Sequence, residues 1–270
     1  AARYELTDAQ WAAVESELPA QRLGRPRRDD RQQWNALLWI LCTGAPWRDL
    51  PARYGPWQTA YERFRRWAAD GTFERVLHRL RLRLDAAGLL DLDTWLVDST
   101  TVRATKSAAG GTKKAQCLGR SRGGLTSKLH VVCDGAGTPL SLHLSAGQRH
   151  DGPQFEPLCD QVRVRRRPRQ LLADRGYDAA HIRHWLRVVA SGLSFHVGNQ
   201  PQVVAVGGED GPHESARSHA RRNVVERFFG SLKEHRRVAT RYEKHDTHFL
   251  SMALLACIRR ILQHHFSDTA

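Results

Sequence analysis

The 270 residues carry 42 basic against 28 acidic side chains, a formal net charge of +14, with 41% hydrophobic residues. That apolar share supports a real core, and the cation excess points to a polyanionic partner, nucleic acid first. Five cysteines (Cys42, Cys117, Cys133, Cys159, Cys257) form no CxxC pair, which argues against a disulfide framework or a zinc ribbon, and no apolar run reaches the ~18–20 residues of a membrane span.

Arg3, Glu5 and Asp8 interrupt any leader-like apolar run at the start, so the expected location is the cytoplasm, on the nucleoid when DNA is bound. Residues 1–90 read as helical. Thr7-Asp8 look like the cap of an amphipathic run through Trp11, Val14 and Leu18. A basic connector with Arg22, Arg25, Arg27 and Arg28 leads to a helix striped by Trp34, Leu37, Leu38 and Leu41, ending near Gly44. Tyr54-Gly55-Pro56-Trp57 then separates a short helix from a longer one, Gln58 to Asp70, in the manner of a helix-turn-helix. Arg63, Arg65 and Arg66 on the longer helix are candidate DNA contacts; the alternative is a core helix with a solvated basic face.

From residue 91 the periodicity turns strand-like. Thr94 to Val97 runs straight into Asp98, and Lys128–Cys133 and Leu140–Leu144 flank the turn Asp134 to Thr138. Asp151-Gly152-Pro153 reads as a helix start, Gln170–Ala173 as a buried strand ending at Asp174, and Leu193–Val197 as a further strand. Residues 199–220 look like a loop, and helices resume at Asn223 and from about His248 to His264. The expected fold is α/β, a ribonuclease-H-like mixed sheet with helices, preceded by a small all-α helix-turn-helix-like domain. The expected division is a helical DNA-binding domain at 1–90 and a catalytic domain at 91–270.

Asp98 and Asp174 each follow an apolar strand. A carboxylate there is costly unless solvated, paired or metal-bound, and strand ends are where sites collect in open α/β sheets. One such aspartate reads first as a turn or cap residue; two at equivalent ends point to a site. Helical spacing puts Arg222, Glu226, Lys233 and Arg237 on one stripe, with Val225, Phe228, Phe229 and Leu232 mainly on the other. Three carboxylates suit Mg²⁺ or Mn²⁺, with two ions activating the nucleophile and stabilising the leaving oxygen, and Asp98 as the bridging ligand.

These residues resemble the bacterial insertion-sequence DDE transposases of the branch numbered five, related to the branch numbered four. Arg222, Glu226 and Lys233 match the R-x3-E-x6-K part of the Y-x2-R-x3-E-x6-K block. Asp174-Arg175-Gly176-Tyr177 is similar to the D-x-G-Y motif, and Val97-Asp98-Ser99-Thr100 to the first-aspartate motif. Arg120 to Leu125, Gly147 to Asp151, Leu6 to Trp11 and Trp47 to Pro51 are also similar to stretches of that branch. The block's tyrosine position holds His219. The resemblance implies metal-dependent DNA cleavage and strand transfer at terminal inverted repeats, with Asp98, Asp174 and Glu226 as catalytic metal ligands and a homodimer on DNA. Arg222, Lys233, Arg237, His219, Arg120, Arg122 and Lys128 join the candidate DNA contacts. The rival functions are a same-fold nuclease that cuts without joining and a non-catalytic, transposase-derived DNA-binding protein.

Overall fold

The computed structural model describes residues 3–20, 29–109, 117–121, 123–164, 167–189, 194–197, 204–205 and 213–267, with side chains described outside 175, 189, 194–197, 204–205 and 213–222. The connector holding Arg22 to Arg28, the segment with Lys113 and Lys114, Arg122, nearly all of 199–212 and the side chains of His219 and Arg222 lie outside the described residues. In chain order the elements are α1 (Asp8–Glu15), α2 (Asp30–Thr43), α3 (Trp57–Ala69), α4 (Thr72–Ala86), β1 (Thr94–Ala104), β2 (Gly119–Ser121), β3 (Gly124–Asp134), β4 (Pro139–Ala146), α5 (Phe155–Asp160), β5 (Gln170–Ala173), α6 (Ala180–Val189), β6 (Ser194–Val197), β7 (Val204–Ala205), α7 (His213–Lys233), α8 (Arg236–Ala239), β8 (Thr240–Arg241) and α9 (Asp246–His265).

Two compact units emerge: one of Ala1–Leu84, Thr105–Gln116 and Leu232–Ala270, the other of Asp85–Ala104 and Cys117–Ser231. The contacts therefore put residues 232–270 with the amino-terminal helices, where the linear reading placed a single cut at residue 90. The physical reason is α9, buried almost all round through Phe249, Met252, Leu255, Ile258 and Leu262. A helix apolar on every side must sit inside a bundle, and α9 packs on α1, α2, α3 and α8.

In this helical unit Thr7 and Gln10 form a capping box at α1. Gly44 closes α2 in the left-handed region, φ 68°. A Cβ at Gly44 would stand 2.9 Å from the Arg236 Cβ, so both conformation and space demand glycine. Trp34, Phe64, Trp67 and Phe73 form an aromatic core, with Trp34 and Trp67 centroids 5.5 Å apart. Between Pro51 and Pro56 the chain makes only a 3₁₀ turn, Ala52–Tyr54, in place of the expected short first helix; the two prolines leave too few residues for an α-turn.

The second unit is built on a sheet of order β4-β3-β1-β5-β6-β7, with β2 also pairing β3. β1, β3 and β4 are an antiparallel meander, while β5 and β6 run parallel to β1. A meander extended by parallel strands through helical crossovers is the ribonuclease-H-like arrangement expected from the sequence. α5 and α6 cover one face through Phe155, Leu158, Ile182 and Leu186, packed on Trp95, Val97, Val132, Leu140 and Leu171. Trp185 joins this core edge-on to Phe155 at 5.4 Å.

Candidate functional site

The site is set by strand register. β5 stops at Ala173, the parallel partner of Val97, so Asp98 and Asp174 leave two neighbouring strands at the same level. Asp98 is not at a strand end, as its sequence context suggested: the antiparallel ladder with β3 carries β1 onward to Arg103. What ends at this level is β5, and the opening beside β1 is where Asp98 and Asp174 sit, both half-buried.

The Asp98 carboxylate accepts from the Ser99 amide at 2.7 Å, and Asp174 from the Gly176 amide at 2.8 Å. A Cβ at Gly176 would lie 3.0 Å from Asp174 Oδ1 and 3.3 Å from Asp151 Oδ2. Glycine there lets the backbone donor approach the carboxylate without crowding either acid. The Tyr177 hydroxyl lies within electrostatic reach of Asp151, Asp98 and Asp174 and bonds Ser99; burial first, then these acids, push its pKa far upward. Tyr177 is thus a neutral hydrogen-bonding group.

Asp151 belongs to this network and does not cap the following turn: it makes no side-chain cap bond. Its Oδ1 instead accepts from Ser99 Oγ at 3.0 Å and pairs with Lys128 Nζ at 2.9 Å. Lys128 also donates to the Arg149 carbonyl at 3.0 Å. With its side chain 14% exposed, Lys128 is tied into this network. His130 lies behind, fully buried, bonded to Ser145 at 2.8 Å and to Tyr177 at 3.4 Å. Burial lowers its pKa to about 4 against the opposing pull of Asp151, so it is neutral at pH 7. Sequence reasoning read Asp151 as the start of a helix and passed over His130, because the pairing of β3 to β1 is what assembles them.

Glu226 is exposed on α7, with Val225, Phe228, Phe229 and Leu232 buried on the same helix. This matches the apolar side expected from its spacing. Among the described residues no three His, Cys, Asp or Glu side chains converge closely enough to hold a metal ion. The structure therefore brings Asp98 and Asp174 together and does not bring Glu226 into a ligand cluster with them. The donors that are assembled, carboxylates set among neutral hydroxyls, are the hard oxygen chemistry that a divalent cation of the Mg²⁺ type takes.

Two arginines expected to face DNA are buried. Arg63 pairs with Asp30 and stacks over Trp67 at 5.5 Å. Arg237 is 6% exposed, donates to Glu243 at 2.7 Å and to the Ala45 carbonyl at 2.9 Å, and lies 5.1 Å from the Tyr242 ring. Both are corrected to structural roles: a guanidinium beside aromatic faces and a carboxylate loses less on burial than one left unpaired. Arg65, Arg66, Arg120 and Lys233 are exposed.

The chain matches the family described as putative transposase of the IS4/5 family over residues 6–77, and the transposase DDE domain over residues 91–261. An uncharacterized protein, y4sN, of Sinorhizobium fredii is 36% identical over 107 residues, 39% of this chain and 81% of the relative. A putative transposase for insertion sequence element IS6501 of Brucella ovis is 33% identical over 135 residues, 49% of this chain and 95% of the relative. A putative transposase for insertion sequence element IS402 of Burkholderia cepacia is 33% identical over 141 residues, 49% of this chain and 61% of the relative.

Proposed function

The chain belongs to the DDE transposases of bacterial insertion sequences, enzymes that cleave and transfer DNA strands with divalent metal, and from that premise we propose that Asp98, Asp174 and Glu226 are its catalytic ligand set. The observation that carries this is the register of β1 and β5, which sets Asp98 beside Asp174. Glu226 completes the set when α7 is engaged by DNA and metal.

Mg²⁺ or Mn²⁺, as a pair of ions, supplies a lowered water pKa and charge stabilisation at the leaving oxygen when bound. The chain's own residues prepare that site. The Ser99 and Gly176 amides hold the two aspartates in place. Asp151, clamped by Lys128, fixes Ser99, and neutral Tyr177 closes the back of the network. DNA is the substrate: terminal inverted repeats first, then target DNA, with two copies of the chain bridging two ends. Arg65, Arg66, Arg120, Arg222, Lys233 and His219 are the proposed phosphate contacts, which position DNA without reading its bases.

The test is incubation with inverted-repeat duplex and Mg²⁺, followed by analysis of cut and joined strands. Wild type gives both; Asp98→Asn gives neither while still binding duplex. Cutting without joining converts the reading to a nuclease, and persistent cutting by Asp98→Asn removes the site. If about six phosphates are neutralised, log K falls with log salt at a slope near −5.

A further inference from the structure

The loop that leaves β4, residues 147–151, is fixed by its backbone. The Gly147 amide donates to the Thr126 carbonyl at 3.2 Å and the Arg149 amide to the Ala146 carbonyl at 2.9 Å. A Cβ at Gly147 would collide with Thr126 Oγ1, and one at Gly119 with the Gln148 side chain, so glycine at both places lets the loop lie flush on β3 and β2. Lys128 supplies a further tie from β3. Its ammonium donates to the Arg149 carbonyl at 3.0 Å and pairs with Asp151 Oδ1 at 2.9 Å.

One ammonium therefore stands between the Arg149 backbone and the acid network. Asp151 Oδ1 accepts from Ser99, the neighbour of Asp98, while Asp151 Oδ2 and Asp174 Oδ1 lie 3.3 and 3.0 Å from the point a Gly176 Cβ would occupy. Arg149 is thus placed beside this group of acids by its main chain, and its side chain is left for other work. That side chain is exposed and makes no ion pair among the described residues, whereas Arg31, Arg79 and Arg183 each hold a carboxylate. A guanidinium carries five donors in a planar fork that matches phosphate oxygens in pairs. Since Gln148 covers Gly119, the exposed Arg120 and Arg149 each lie one residue from a shared contact.

We propose that Arg149 holds a phosphate of the DNA strand next to the bond being cut, and that Lys128 is the positioning residue that sets Arg149 there. A phosphate contact fixes the register of the strand and leaves its sequence unread. Register matters at this place, because a displacement of about 1 Å at the reacting centre costs ~10²-fold in rate. The assignment rests on DNA being the substrate of the site that holds Asp98 and Asp174.

The test is binding of the full chain to inverted-repeat duplex without metal, read by fluorescence anisotropy, with one neutral methylphosphonate placed in turn at each phosphate around the cut. One placement weakens wild type by about fivefold, the upper worth of an exposed ion pair. Arg149→Ala, at an exposed position, loses about as much on the natural duplex and keeps its melting temperature. It no longer responds to that placement, since both changes remove the same interaction, and its salt slope falls by about 0.9. Lys128→Met also loses the response and adds nothing to the affinity loss of Arg149→Ala. A lysine that served stability alone would leave the response intact. Should Lys128→Met fail to fold, Arg149→Ala and the methylphosphonate series decide. If wild type and Arg149→Ala respond alike at every placement, the Arg149 contact is overturned while DNA as the substrate stands. If wild type does not bind the duplex, both fall.

Discussion

The helical unit and the sheet unit treat charge in opposite ways. In the helical unit guanidinium groups are drawn inward: Arg63 against Asp30 and Trp67, Arg237 against Glu243 and the Tyr242 ring. In the sheet unit it is carboxylates that gather, half-buried, where β5 ends beside the middle of β1, with one lysine and several neutral donors around them. The difference teaches that a net charge of +14 does not map onto one DNA-binding surface. Part of the positive charge builds the helical core, and part of the negative charge gathers in the sheet unit beside the end of β5.

The sharpest way to break this contrast is at the carboxylates. Asp174→Asn keeps size and fold but removes the ligand charge; strand cleavage is expected to fall by about 10³-fold or more, with an unchanged circular dichroism spectrum. Arg237→Ala does the reverse. It leaves Glu243 buried without its partner and lowers unfolding free energy by about 3–5 kcal/mol in urea titration. If Arg237 were a DNA contact, the loss would instead appear in duplex affinity with stability unchanged.

The next effect is pH-dependent. His130 has a folded pKa of about 4, below its unfolded value of ~6.5. Between these values the unfolded chain binds the proton that the buried ring refuses, so stability is full above pH ~6.5 and falls as pH drops towards 4. The loss amounts to roughly 3 kcal/mol. His130→Gln removes this component from the pH profile of the melting temperature. Gly44→Ala is smaller, about 1–2 kcal/mol from the left-handed backbone, with the 2.9 Å approach to Arg236 adding to it. Smallest are Arg65→Ala and Arg66→Ala on the exposed face of α3. Each changes stability by less than about 0.5 kcal/mol yet lowers the salt slope of DNA binding by about 0.9 if it holds a phosphate.

Much of the sheet unit was legible because strands and turns are local. Gln170–Ala173 and the 134–138 turn fall where the alternation and the glycines place them, and the Thr7 cap and Gly44 stop frame the first two helices as expected. Asp98 and Asp174 were legible as a pair, since each follows an apolar run. The Lys128–Asp151–Ser99 network was not, because it is made by β3 pairing to β1 and by a loop returning from β4, contacts that no local spacing encodes. Arg63 and Arg237 misled for a related reason. Helical periodicity assigns a face, but only tertiary packing shows whether that face meets water or aromatic rings.

Glu226 is the residue on which the account turns, since its sequence block is strong and, among the described residues, no three His, Cys, Asp or Glu side chains converge as a metal-binding group. The most direct measurement is single-turnover cleavage of an inverted-repeat duplex in Mg²⁺ and in Mn²⁺ by Glu226→Gln beside Asp98→Asn. The account predicts that both variants bind the duplex as wild type does and that neither cuts it in either metal. Cleavage by Glu226→Gln at the wild-type rate would contradict the three-carboxylate site.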